Sequence, residues 1–212
     1  MVTACAGNDA ELRVEQKAMT VVALGTSLTD SGGWTKPLEE RLAECLARPI
    51  RVLNFGRDGA TSDWAVAILG KVIRAQPDVI LIEFAVNDAS WLKGVSLRHS
   101  QENIIKIVRA VKEACPQAMI FLMTMSPAFG VRGWMRPQLK KYYEIYKDIS
   151  NNLGIGYIDN LQKWKNLTEH DLRASMPDGL HPLPEWASRI LVPMIAGAIG
   201  GMSCADTRNT GR

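Results

Sequence analysis

Little in this sequence points toward a large charged partner. Lys and Arg number 25 against 22 Asp and Glu, so the 212 residues carry a formal net charge of only +3. That balance favours neither nucleic acid nor an anionic membrane as partner. Long apolar runs are also missing. None approaches the roughly 18–20 residues that a spanning helix needs, so no transmembrane segment is expected. Cysteine is scarce, and its four positions, Cys5, Cys45, Cys115 and Cys204, show no CxxC or Cys/His spacing of the zinc-binding kind. Cys45 and Cys115 fall within or at the end of helical patterns and read as packing residues. Repeats and low-complexity linkers are absent. What remains is 47% hydrophobic and 22% charged, an ordinary globular composition in a chain long enough for a substantial core. We read residues 1–19 as an N-terminal tail, 20–200 as one domain and 201–212 as a flexible C-terminal tail.

The N-terminal tail contains Val2-Thr3-Ala4-Cys5, small residues running into a cysteine as at the end of a bacterial lipoprotein signal. The basic and apolar segments of such a signal do not precede it. Two expectations result. The protein is cytoplasmic if Met1 is the true start. It is exported, or lipid-anchored in the bacterial periplasm, if this stretch ends a truncated signal.

Strands and helices alternate along the rest. Thr20 to Leu24 is a short, continuous apolar run, the pattern of a buried strand. Trp34, Leu38, Leu42, Cys45 and Leu46 then share one face of a helix, ended by Pro49. Ile50 to Phe55 gives a second strand. Thr61-Ser62-Asp63 offers N-cap chemistry for a helix to about Ala75. Val79 to Ala85, apolar apart from Glu83, reads as a central parallel strand covered on both faces. A helix over Leu97 to Ala114 turns Ile104, Ile105, Val108 and Val111 toward the sheet. Ala118 to Met125 is a fourth strand, Ala128 to Arg136 a loop, and Leu139 to Leu153 a helix. Ile155 to Ile158 is a fifth strand and Pro184 to Ile199 a last amphipathic helix. The alternation predicts a three-layer α/β fold, a flavodoxin-like doubly wound five-stranded parallel sheet in the order 2-1-3-4-5. In that order the ligand crevice lies at the carboxyl ends of strands 1 and 3.

The residues at those ends carry the chemistry. Strand 1 runs into Gly25-Thr26-Ser27-Leu28-Thr29, which sets a hydroxyl at the sheet edge. A Ser or Thr there is, taken alone, most often a helix cap. Strand 2 is followed by Gly59, whose lack of a Cβ lets a backbone N–H approach a ligand. Strand 3 is followed by Asn87, whose amide can donate toward an oxyanion. Histidine is rare: His99, His170 and His181. His99 opens a helix and His170 lies among charges. His181 alone has a carboxylate, Asp178, three residues ahead on a loop with Gly179 and Pro182. That arc can bring Asp178 to one ring nitrogen and leave the other for a serine proton.

Taken in order, Gly25-Thr26-Ser27-Leu28-Thr29, Asn54 through Gly59, Ala85-Val86-Asn87-Asp88 and Asp178-Gly179-Leu180-His181-Pro182 resemble the four blocks of the SGNH (GDSL-type) hydrolases. The resemblance spans the chain from first strand to last helix. It implies the SGNH hydrolase fold and an esterase with Ser27 as nucleophile, His181 as general base and Asp178 orienting it. It also implies an oxyanion hole of the Ser27 and Gly59 backbone N–H groups and the Asn87 side chain, with Gly56 the alternative to Gly59. No metal or organic cofactor is implied. Two departures stand out. Thr26 replaces the usual Asp of Gly-Asp-Ser, leaving one hydroxyl to order that turn, and Ala85 replaces the usual Gly of Gly-x-Asn-Asp.

The family's lipases, thioesterases and carbohydrate deacetylases leave the substrate open. Trp34, Trp91 and Trp134 follow strands 1, 3 and 4, where aromatic faces stack on sugars, and Arg132 can meet an acidic or hydroxylated glycan. The same tryptophans serve equally well as packing residues. The expected substrate is a small-molecule or glycan ester, and the expected reaction removes a short acyl group such as acetyl from a saccharide. Transfer of that acyl group to a sugar hydroxyl is the alternative. A non-catalytic phosphate-binding module is disfavoured, because no Lys or Arg occurs from Gly25 through Trp34.

Overall fold

The computed structural model describes residues 17–204; the Cys5 stretch lies outside them. Five strands, β1 (Met19–Gly25), β2 (Ile50–Gly56), β3 (Val79–Glu83), β4 (Met119–Thr124) and β5 (Gly156–Asp159), form one parallel sheet in the order β2-β1-β3-β4-β5. This is the order expected from the alternation. Five long helices cover it: α1 (Thr35–Leu46), α2 (Ser62–Arg74), α3 (Leu97–Ala114), α4 (Leu139–Leu153) and α5 (Pro184–Gly200). Helices α1 and α5 pack together on one face, and α2, α3 and α4 pack in sequence on the other. Every residue of β1 and β3 is buried, whereas the edge strands β2 and β5 are half-buried. That difference is why the inner strands read as unbroken apolar runs. No helix among the described residues is long and apolar enough to cross a membrane.

Local chemistry sets most boundaries. Ser96 caps α3, its Oγ accepting the His99 N–H at 3.1 Å. Thr61 makes no such bond for α2. There the Ser62 N–H donates to Asp88 Oδ1 at 2.9 Å, a cap supplied from the far side of β3. The third strand stops at Glu83, two residues short of the expected end, because Ala85–Asp88 turns into a short buried helix. Likewise the expected loop after β4 contains a helical turn, Gly130–Trp134. On α3 the sheet-facing set is Ile104, Ile107, Val108 and Val111; Ile105 is only half-buried.

Two features joined by Cys45 and Cys204 differ from expectation. Cys45, at the end of α1, forms a disulfide with Cys204, so it is not a simple packing residue. Gly201–Ser203 forms a turn beyond α5 and Cys204 is fully buried, so the ordered domain runs past residue 200. Sequence spacing hid this pairing because 159 residues separate the partners. Cys115 is free and buried, as its helix-end position suggested.

A bridge that closes so long a loop restricts the unfolded chain strongly. Cys204→Ser is expected to lose about 2–5 kcal/mol of unfolding free energy, measured by denaturant titration. Treating the wild type with a reductant should produce the same loss, and should leave the variant unmoved.

Candidate active site

The parallel register brings Gly25, Gly56 and Glu83 to one level at the carboxyl edge of the sheet. The segments that leave these three strand ends meet there. Ser27 opens a helical turn, Ser27–Asp30, capped by Thr26, whose Oγ1 accepts the Leu28 N–H at 3.2 Å. Its Oγ lies 2.9 Å from His181 Nε2. On the other side of the ring, His181 Nδ1 is 2.7 Å from Asp178 Oδ2. Asp178 Oδ1 accepts the backbone N–H groups of Leu180 (2.9 Å) and His181 (2.7 Å). The loop is anchored by the Phe129 N–H, which donates to Gly179 O. Partial burial pushes the Asp178 carboxyl up, but these N–H donors and the His181 ring outweigh it and hold the acid down at about 2. It is therefore a carboxylate throughout the neutral range, able to fix the ring tautomer. The other histidines lie elsewhere: His99 pairs with Asp63 on the surface, and His170 is almost fully exposed.

Three hydrogen-bond donors lie on the segments that leave β1, β2 and β3. Neither the Ser27 N–H nor the Gly59 N–H meets an acceptor among the described residues. Gly59 has φ of +66°, a conformation that glycine adopts without strain. Asn87 is buried, and its Nδ2 donates to the carbonyl of Ala60 at 2.9 Å, tying the amide to the Gly59 loop. One Nδ2 hydrogen is left over. Asn54 supports the arrangement from β2, donating to Thr29 O (2.9 Å) and Asp30 O (3.1 Å) and accepting the Gly56 N–H.

Several contributing residues escaped sequence reasoning. Arg136 is 7% exposed and donates through Nε to Val86 O at 2.7 Å, with Nη2 at 3.5 Å from Asn87 Oδ1. That contact orients the Asn87 amide with its nitrogen away from the guanidinium. Asp88, buried, accepts from the Ser62 N–H and the Ser100 hydroxyl. Glu83 lies under the Ser27 turn. Trp164 is fully buried and, with Leu28, Met125, Ala187 and Leu191, lines a pocket of about 80 Å3 that opens onto Ser27 and His181. An indole so far along the chain from the serine leaves no local signal; only the glutamate, the one acid in an apolar strand, was conspicuous beforehand.

The four residues expected to meet substrate divide. Trp34 is fully buried, and its indole N–H donates to Leu28 O at 2.8 Å, so it braces the serine turn and has no face for a ligand. Arg132 approaches Asp178 Oδ2 at 3.4 Å, which makes that carboxylate its partner. Trp91 and Trp134 are exposed and form an edge-to-face pair, centroids 5.7 Å apart. The Trp91 N–H also donates to Met135 O, joining the segment after β3 to the one beside Asp178.

Known proteins resemble this chain in sequence and in fold. The model of the GDSL-like Lipase/Acylhydrolase family matches residues 23–186. A GDSL esterase/lipase of Arabidopsis thaliana is 25% identical over 197 residues, spanning 78% of this chain and 79% of its own. Among solved structures, an acetylxylan esterase from Geobacillus stearothermophilus matches with a TM-score of 0.74 at 22% identity, over 90% of this chain and 97% of its own. At that identity the likeness speaks for the fold.

The depressed Asp178 acid has a consequence for stability. Its folded value of about 2 lies below the ordinary 3.8, so its contribution is present above 3.8 and is lost as pH falls toward 2. The stability difference between wild type and Asp178→Asn should therefore shrink on acidification through that window. Urea titrations at stepped pH measure it.

Proposed function

The chain belongs to the GDSL-like lipase/acylhydrolase family, and we propose that this esterase removes a short acyl group, acetyl by preference, from a saccharide hydroxyl through an acyl-enzyme on Ser27. The observation that carries the reading is the continuous path from Ser27 Oγ through the His181 ring to Asp178, at 2.9 and 2.7 Å, beside a small closed-in pocket. A pocket this small, walled by Leu28, Met125, Trp164, Ala187 and Leu191, suits an acetyl or slightly longer chain better than a fatty acyl tail. The exposed Trp91–Trp134 pair supplies flat apolar faces of the kind that stack on sugar rings. The acetylxylan esterase with the same fold inclines the reading to an acetylated saccharide.

In this mechanism Ser27 Oγ attacks the ester carbonyl carbon while its proton passes to His181 Nε2. The carbonyl π electrons move onto oxygen, and the Ser27 and Gly59 N–H groups and the Asn87 amide receive that charge. Asp178 stabilises the imidazolium and keeps its Nδ1 proton in place. Collapse of the tetrahedral intermediate breaks the bond to the alcohol, which leaves with the proton from His181. Water then gives a proton to His181 and adds to the acyl carbon; collapse breaks the bond to Ser27 Oγ, which takes that proton back from His181 as the carboxylic acid leaves.

Hydrolysis of p-nitrophenyl acetate by wild type, Ser27→Ala and His181→Ala tests the assignment. Both variants should lose at least about three orders of magnitude in kcat. Equal rates in all three proteins would refute it. The pocket makes a second expectation: across p-nitrophenyl acetate, butyrate and octanoate, wild type should favour acetate. Leu191→Ala, which deepens the pocket wall, should shift that preference toward butyrate; faster octanoate turnover by wild type would contradict the short-acyl assignment.

A further inference from the structure

Position 26 departs from the family pattern, with Thr in place of the Asp of Gly-Asp-Ser, and position 83 is the one acidic side chain inside an otherwise apolar central strand. The structure brings these two oddities into contact. Glu83 is 1% exposed. Its Oε1 accepts the Thr26 N–H at 2.6 Å, the Thr29 hydroxyl at 2.7 Å and the Thr26 hydroxyl at 3.0 Å, and Oε2 lies 3.2 Å from the Thr26 Oγ1. Gly25 pairs with Glu83 in the ladder, and a Cβ at Gly25 would run into the Glu83 carboxyl and the Thr29 hydroxyl. The carboxyl therefore fills the space directly beneath the turn and grips it on both sides of Ser27, at residues 26 and 29.

We propose that Glu83 is a positioning residue for Ser27, supplying from β3 the carboxyl group that the Gly-Asp-Ser form of this turn carries within itself. The proposal rests on the reading of Ser27 as nucleophile. Burying an acid in a hydrophobic strand costs stability unless its oxygens are satisfied, and every donor that satisfies this one belongs to the nucleophile turn. Burial pushes the Glu83 acid up to about 7, against the Thr26 and Thr29 donors that lower it, with nearby Asp88 adding to the rise. Both protonation states keep the grip. Protonated on Oε2, the group still accepts at Oε1 and turns its O–H toward Thr26 Oγ1. The acceptor oxygen matters here, and the charge does not.

That distinction makes the test specific. Two readouts are taken at pH 8 on folded protein verified by near-UV circular dichroism: kcat and KM for p-nitrophenyl acetate, and the rate at which a fluorophosphonate labels Ser27, followed by mass spectrometry. Glu83→Gln preserves an acceptor oxygen and an isosteric donor, and should stay within about threefold of wild type in both. Glu83→Leu removes the acceptors, and should lose about 100-fold in kcat and in labelling rate with KM within about threefold, as expected for a displaced nucleophile. Thr26→Asp alone sets two carboxyls against each other in a buried place and should lose at least about tenfold. Combining it with Glu83→Gln should recover that loss, because the turn then carries its own carboxylate. A Glu83→Gln variant as impaired as Glu83→Leu, or a double variant no better than Thr26→Asp alone, overturns the proposal. Should Glu83→Leu not fold, Glu83→Gln and the double variant decide. The esterase reading fails separately, by activity persisting in Ser27→Ala; a Ser27-dependent enzyme with normal rates in Glu83→Leu overturns only the positioning role.

Discussion

Everything at the site depends on the parallel pairing of β1 between β2 and β3. Its register sets Gly25 opposite both Gly56 and Glu83, so three strands end at one level and the segments beyond them converge on one point. The serine turn, the Gly59 loop and the Asn87 turn are thereby brought together without any of them being near another in sequence. Helix α5 and the loop before it close the arrangement, bringing His181 across 154 residues to the serine. Such crossovers are right-handed, and ligands gather where the winding direction changes, beside the first strand.

The convergence places unusually polar chemistry in a dry place. Thr26, Glu83, Asn87, Asp88, Ser100 and Arg136 are all buried. Each would be destabilising in an apolar environment without a partner. Here the partners are one another and the loop backbones: Asp88 caps α2, Glu83 receives the serine turn, and Arg136 holds the Val86 carbonyl and faces the Asn87 amide. A network of this kind resists motion because moving one member strands another. Rigid donors suit a reaction in which charge appears briefly on oxygen, since they need no reorganisation when it does.

The disulfide serves a different purpose. It ties the end of α1 to the segment after α5, the two helices that cover the same face of the sheet. The indole-lined pocket lies beside α5, with Leu28 from the serine turn and Ala187 and Leu191 from α5 in its wall. Holding α5 in place also holds the loop that presents His181.

By itself the sequence determined the parallel order of strands, the five long helices and the four segments that gather at the sheet edge. Those features rest on local quantities: apolar period, strand length, and Gly, Asn and Pro at the turns, all of which are legible within a few residues. Histidine scarcity singled out His181 for the same reason, since its acid, Asp178, lies three residues ahead on the same glycine- and proline-bearing loop. Tertiary structure alone decided which side chains the convergence uses. Trp34 turned inward to brace Leu28, Arg132 met Asp178, and Cys45 found Cys204 at a separation of 159 residues. It also decided that the missing acid at Thr26 has a neighbour at Glu83, 57 residues away in the chain. Burial and partner choice depend on distances between strands, and no window of sequence contains those distances.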